Sequence, residues 1–169
     1  MDIAIWNFIT AFGDIRFWLL VILALAVWSF VNRGKLTERE KRVLIIVFVV
    51  LIITALATEA IKLAVNAPRI CTPCPGTSCN PYCPTDDPHG FPSGHAALSF
   101  AMFTAGWLAF TRSRKERKTW SWIFIVPVLI GVSRLALGVH TFEQVVAGAV
   151  VGLTVAWLVW LALKPRSRK

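Results

Sequence analysis

The sequence predicts an all-α protein, a transmembrane helical bundle of about five spans preceded by a short N-terminal interfacial helix. Three observations predict it. The chain of 169 residues is 56% hydrophobic with a mean hydropathy of +0.64, more apolar than soluble domains usually are. Its apolar stretches approach or exceed the roughly 20 residues a helix needs to cross a bilayer. Of its 18 Lys and Arg, five lie in Arg33–Arg42, five in Thr111–Thr119 and four from Lys164 to Lys169, all flanking apolar stretches.

The elements follow in order along one domain, residues 1–169. Residues 3–13 read as an interfacial helix or re-entrant start. The first span is Ile15–Val31. The second, Val43–Val65, stops before Pro68, because the residue ahead of a proline disfavours the α region. A Pro- and Cys-rich loop occupies 67–92. The third span is Ser93–Phe110. The fourth is Trp120–Leu137, with Gly138 suited to the position just past its end. The fifth is Phe142–Leu163. Tryptophans lie mainly near span ends, as in an aromatic belt. The N-terminus has neither the basic leader nor the small-residue cleavage site of a signal peptide.

A net charge of +9 can mark a nucleic-acid binder, but here the cations border apolar spans. That distribution excludes nucleic acid as the expected partner and predicts a bilayer, with the basic segments cytoplasmic. The loops at 67–92 and 138–141 then share the opposite, extracytoplasmic face. Cys71, Cys74, Cys79 and Cys83 all fall in the first of these loops. Outside the cell, disulfides are the favoured state, and four cysteines allow three pairings. The alternatives are a four-thiolate zinc site, which the short spacing fits poorly, and free thiols.

The four basic residues outside the clusters are Arg16, Lys62, Arg69 and Arg134. Polar residues near span ends on the extracytoplasmic side are Glu59, Lys62, Arg69, Ser93, His95, Arg134, His140 and Glu143. Such residues are costly in a membrane and usually functional. Cations, a hydroxyl and imidazoles at one depth suit phosphate chemistry, which needs positioning and charge stabilisation. Lys62 and Arg69 are two helical turns apart. Ser93 is placed to cap the third span, and Gly94 lets a ligand approach backbone N–H groups at a helix start. Arg134 offers a planar fork for phosphate. Glu59 is one turn from Lys62 and placed to pair with it. Ser133 is expected to bond within its own helix. His89, Asp86 and Asp87 read as a solvated loop.

Three motifs in order carry a resemblance: Lys62-x6-Arg69, then Pro92-Ser93-Gly94-His95, then Ser133-Arg134-x5-His140. They resemble those of the type 2 phosphatidic acid phosphatase family, whose soluble relatives are vanadium haloperoxidases. The resemblance implies a membrane phosphatase acting on a phosphorylated lipid through a phosphohistidine, without metal or other cofactor. It implies His140 as nucleophile and His95 as the acid that protonates the leaving oxygen and then activates water. Lys62, Arg69, Ser93, the Gly94 amide and Arg134 would hold the phosphate oxygens. Implied substrates are lipid A 1-phosphate, phosphatidylglycerophosphate and undecaprenyl pyrophosphate, met at the periplasmic or exterior face of a bacterial inner membrane. A lipid phosphotransferase and a non-catalytic lipid-binding member are the alternatives.

The chain departs from the family pattern twice. Ile70 replaces a proline after Arg69. Gln144 stands where the family has the aspartate that orients the nucleophilic histidine. Glu143 is one residue earlier and, like Gln144, shares a helix face with His140. Glu143 is therefore the expected orienting group, with Gln144 or a group from elsewhere in the chain as the alternatives. Gln144 is also placed to complete a capping box with Thr141.

Overall fold

The computed structural model describes residues 3–71, 83 and 89–164. These residues form seven α-helices: α1 (Ile3–Ala11), α2 (Ile15–Val31), α3 (Glu38–Val65), α4 (Gly94–Phe110), α5 (Arg114–Trp120), α6 (Ile125–Ala136) and α7 (Phe142–Leu163). A 3-10 turn at Ser121–Phe124 makes α5 and α6 nearly continuous. Three helical segments are long and apolar enough to cross a membrane: α3, the α5–α6 segment and α7. The α1–α2 pair, bent by 43°, would make a fourth. Helix α4 is apolar but has 17 residues, about 26 Å at 1.5 Å per residue, close to the thickness of a bilayer core.

Two helices begin earlier than the apolar pattern suggests, because polar caps start them. Thr37 and Glu40 form a reciprocal capping box that opens α3 at Glu38 instead of Val43. Ser113 accepts from the Glu116 N–H and opens α5 at Arg114, not at Trp120. Part of each basic segment is therefore helix. At the other end, α3 stops at Val65 with Asn66 in the left-handed conformation. Gly138, at φ 65°, turns the chain after α6, where a side chain would be strained.

The apolar core is a three-helix contact. Ile46, Val50 and Leu51 of α3 meet Leu98, Ala101, Met102 and Ala105 of α4, and Ala156 and Val159 of α7. Two buried hydroxyls near it bond along their own helices, Thr58 Oγ1 to the Thr54 carbonyl at 2.7 Å and Ser99 Oγ to that of Ala96 at 3.1 Å, whereas Thr54 Oγ1 and Thr104 Oγ1 are buried without a partner. Helices α4 and α7 lie closest. A Cβ at Gly148 would strike the Ser93 carbonyl, and one at Gly152 the Ala97 carbonyl. Small residues permit such approach, and dispersion between the two backbones replaces the hydrophobic drive that lipid removes.

The bundle has two unlike ends. Arg39 of α3 donates to the Phe110 carbonyl at the end of α4 at 2.9 Å. Arg117 lies over the Trp160 ring of α7 at 5.2 Å. These contacts gather the first two basic segments at one end, where Lys164 also lies over the Trp160 ring. The C-terminus of α3, the N-termini of α4 and α7, and the C-terminus of α6 meet at the other.

Substitution Gly152→Val should lower the melting temperature in detergent by several degrees, because overpacking costs about 1–3 kcal/mol. Gly106→Ala, where a Cβ meets nothing within 4 Å, should leave it unchanged or raise it, since alanine favours a helix interior.

Candidate active site

The end opposite the basic segments holds a cavity of about 500 Å³ lined by Lys62, Arg69, Gly94, His95, Arg134 and His140, among others. Each arrives for a local reason. Lys62 is in the last turn of α3, buried, and ion-paired with Glu59 Oε1 at 2.9 Å, while Glu59 stays 63% exposed. Asn66 ends that helix, and the chain runs through Pro68 to place Arg69 over the cavity. His95 is in the first turn of α4, and Arg134 in the last turn of α6. His140 follows the Gly138 turn and is 3% exposed.

His140 is held on both sides of its ring. Arg69 Nη1 lies 2.8 Å from Nε2, and Gln144 Oε1 lies 2.9 Å from Nδ1. A guanidinium only donates, so Nε2 accepts and Nδ1 carries the proton, donating it to Gln144. The amide orientation of Gln144 follows the same logic. Its Oε1 also accepts from the Thr141 N–H at 3.2 Å, and its Nε2 faces the Pro68 carbonyl at 3.5 Å. The Nε2 lone pair of His140 therefore points to the cavity side, where Arg69 sits.

Gln144, not Glu143, is the residue behind His140. Glu143 is exposed, so the expectation that it faces the ring is corrected. The reason is helical phase. The capping box, with Gln144 N–H donating to Thr141 Oγ1 at 3.3 Å, sets the first turn of α7 and points position 144 inward. Ser93 also differs from expectation. It occupies the cap position of α4, yet its side chain caps nothing. Its Oγ is buried with no hydrogen-bond partner, as is Nε of Arg134. Such buried donors are costly; Trp18 Nε1, Thr54 Oγ1, Thr104 Oγ1 and Arg117 Nε share that state elsewhere. Of the two here, Arg134 lines the cationic cavity, whereas Ser93 adjoins it through Gly94. Ser133 Oγ donates to the Ile130 carbonyl at 2.6 Å, within its own helix.

Sequence reasoning missed the contribution of α1 and the α1–α2 turn. Asn7, Thr10, Gly13, Asp14 and Arg16 also line the cavity. Arg134 Nη1 donates to Thr10 Oγ1 at 2.8 Å, and Asp14 Oδ2 lies 3.9 Å from His95 Nε2. Two signals were available: Arg16 is the one isolated cation outside the motifs, and Gly13–Asp14 is a polar break in an apolar stretch. In the 67–92 loop, Cys71 and Cys83 form a disulfide, so neither is a thiolate ligand. Cys74, Cys79, Asp86 and Asp87 lie outside the described residues. His89 pairs with Pro68 beside the site.

A helical membrane protein with a cationic, two-histidine cavity at one end of its bundle is thus defined by fold and site. A model of the PAP2 superfamily matches residues 43–168, and the chain belongs to that superfamily. The "Probable diacylglycerol pyrophosphate phosphatase 1" of Schizosaccharomyces pombe is 36% identical over 88 residues, covering 44% of this chain and 30% of the relative. The chain thus matches less than a third of that relative's length. The fold is that of a PAP2 type phosphatidylglycerolphosphate phosphatase from Bacillus subtilis, with a TM-score of 0.71 at 20% identity, covering 99% of this chain and 79% of the other. It also resembles LpxE of Aquifex aeolicus, with a TM-score of 0.63 at 21% identity, covering 94% and 85% of the two chains.

Burial, and next the charge of Arg69, push the His140 pKa down to about 3 from its ordinary value of 6.5. The native chain then binds fewer protons than the unfolded chain between those values, so stability is present above pH 6.5 and falls as pH drops toward 3. Melting temperature in detergent should decline between pH 7 and pH 5, and His140→Asn should flatten that slope.

Proposed function

We propose that the protein is a lipid phosphatase that hydrolyses a phosphate monoester or pyrophosphate through a phosphohistidine at His140. The observation that carries this reading is the fixed tautomer of His140, whose Nε2 lone pair faces a cavity of cations. A phosphate arriving there offers its oxygens to Lys62, Arg69, Arg134, the Ser93 hydroxyl and the Gly94 amide. Arg69 exchanges its contact with Nε2 for a phosphate oxygen, which exposes the lone pair. Nε2 then bonds to phosphorus as the bond to the leaving oxygen breaks, and His95 gives that oxygen its proton. Neutral His95 next takes a proton from water, the water oxygen bonds to phosphorus, and the P–N bond breaks to release phosphate. Proton transfer by a positioned group contributes about 10²–10⁴-fold.

In this reading Gln144 orients the nucleophile. Its carbonyl holds the tautomer without charge, so a phospho-imidazolium is stabilised less than a carboxylate would stabilise it. Two observations support an extracytoplasmic site. The basic segments gather at the opposite end of the bundle, the end that stays cytoplasmic. The Cys71–Cys83 disulfide lies in the loop that borders the site, and disulfides persist in oxidising compartments. We place the protein in a bacterial inner membrane with the site facing the periplasm or exterior. The names of the similar proteins support a lipid phosphate or pyrophosphate as substrate.

Phosphate release should be measured over phosphatidylglycerophosphate, lipid A 1-phosphate and undecaprenyl pyrophosphate in detergent micelles. Turnover of at least one is expected, with His140→Ala and His95→Ala losing about 100-fold or more. Unchanged turnover in both variants would overturn the proposal. Gln144→Leu should lower kcat by about 100-fold, because a misplaced nucleophile is that costly, whereas Glu143→Gln should turn over normally.

A further inference from the structure

Asp14 has two oxygens with two separate neighbours. Oδ1 accepts from the Arg16 N–H at 2.7 Å and caps α2. Oδ2 is left over and faces His95 Nε2 at 3.9 Å. Capping uses one oxygen, and asparagine or serine would cap as well, so capping does not account for a carboxylate here. The turn is held against α4 by Gly13, which is buried. A Cβ there would lie 2.6 Å from Ile130 Cγ2 and 3.1 Å from His95 Cβ. Thr10, one turn earlier, anchors the same segment to Arg134. The close approach of Asp14 to His95 is therefore built by packing on both sides.

The charges around His95 make this carboxylate matter. Lys62 of α3, Arg69 of the following loop, Arg134 of α6 and Arg16 of α2 line the same cavity, with His140 opposite. From α1 come only uncharged Asn7 and Thr10. The other carboxylate of the cavity, Glu59, is committed to Lys62. A group that must hold a proton for a leaving oxygen is disfavoured by cations and favoured by an anion within about 4–6 Å. Residues 3–42 also lie outside the segment matched by the superfamily, and the position behind His140 carries an amide where the superfamily resemblance implies an aspartate.

We propose that Asp14 is the positioning carboxylate of the acid, keeping the proton on His95 and aiming it at the leaving oxygen. The carboxylate not paired with a cation thus stands beside the acid, and among the described residues an amide, not a carboxylate, stands behind the nucleophile. The inference rests on the phosphohistidine reading above, and its failure is separable from the failure of that reading. A separation of 3.9 Å is too long for a hydrogen bond, but such contacts tighten when substrate enters and water leaves.

The test compares Asp14→Asn, which keeps the cap, and Asp14→Glu, which keeps the charge. Rates are measured on an alkyl lipid phosphate, a poor leaving group, and on p-nitrophenyl phosphate, a good one. In Asp14→Asn the alkyl-to-aryl rate ratio should fall about 10- to 100-fold. The alkaline limb of kcat/KM should move at least about one unit lower in pH. Asp14→Glu should recover much of both. Adding Asp14→Asn to His95→Ala should lower the rate no further, because coupled residues are not additive. Should Asp14→Asn not fold, Asp14→Ser, another cap former, serves in its place. A wild-type ratio and pH profile in a folded variant would overturn the proposal, as would full additivity with His95→Ala. Loss of dependence on His140 would overturn the phosphohistidine reading instead.

Discussion

The close contact of α4 with α7 is the constraint on which the site depends. Gly148 and Gly152 face the backbone of α4 with no side chain between. At the top of that contact the Ser93 N–H donates to the Gln144 carbonyl at 2.9 Å, joining the first turns of both helices. His95 follows Ser93 by two residues, and His140 precedes Gln144 by four. Both imidazoles therefore come to one cavity because two helix starts are pinned together. A methyl group at either glycine would part the backbones, and the histidines with them.

The second constraint is electrostatic. Lys62, Arg69 and Arg134 share a partly buried cavity with two histidines, and like charges there repel more strongly than in water. The fold answers each cation differently. Lys62 has Glu59, Arg69 leans on a neutral imidazole nitrogen, and Arg134 bonds to Thr10. Arg134 Nε and Ser93 Oγ are buried and unpartnered among the described residues. Such an arrangement is less stable than a repacked one and favours any dianion that enters. In the proposed reading, the same features that strain the free site suit it to a phosphate.

Gln144 shows how one residue can serve fold and site together. Its backbone and side chain close the capping box of α7, its carbonyl fixes the His140 tautomer, and its amide reaches toward Pro68. Gly90 is tied to it, because a Cβ at Gly90 would lie 2.7 Å from Gln144 Nε2. An aspartate side chain is shorter and lacks N–H groups, so it could not make the Pro68 contact. The neutral residue is thus integrated into the loop that carries Arg69, and the carboxylate that faces His95 comes from the α1–α2 turn.

The sequence by itself determined the helical membrane class, because a bilayer admits only backbones whose polar groups are satisfied internally. It also marked the candidates for chemistry, since cations and histidines stand out among apolar spans. Helix starts at Glu38 and Arg114 were legible only in part, because hydropathy finds the apolar stretch and not the polar cap ahead of it. Tertiary structure alone decided between Glu143 and Gln144. Both share a face with His140 by spacing, and only the packed phase of α7 turns one inward and the other outward. It alone brought Thr10, Gly13 and Asp14 to the cavity, since they lie far along the chain from every motif. Contacts between such distant segments are set by how helices fit together, which no local pattern encodes.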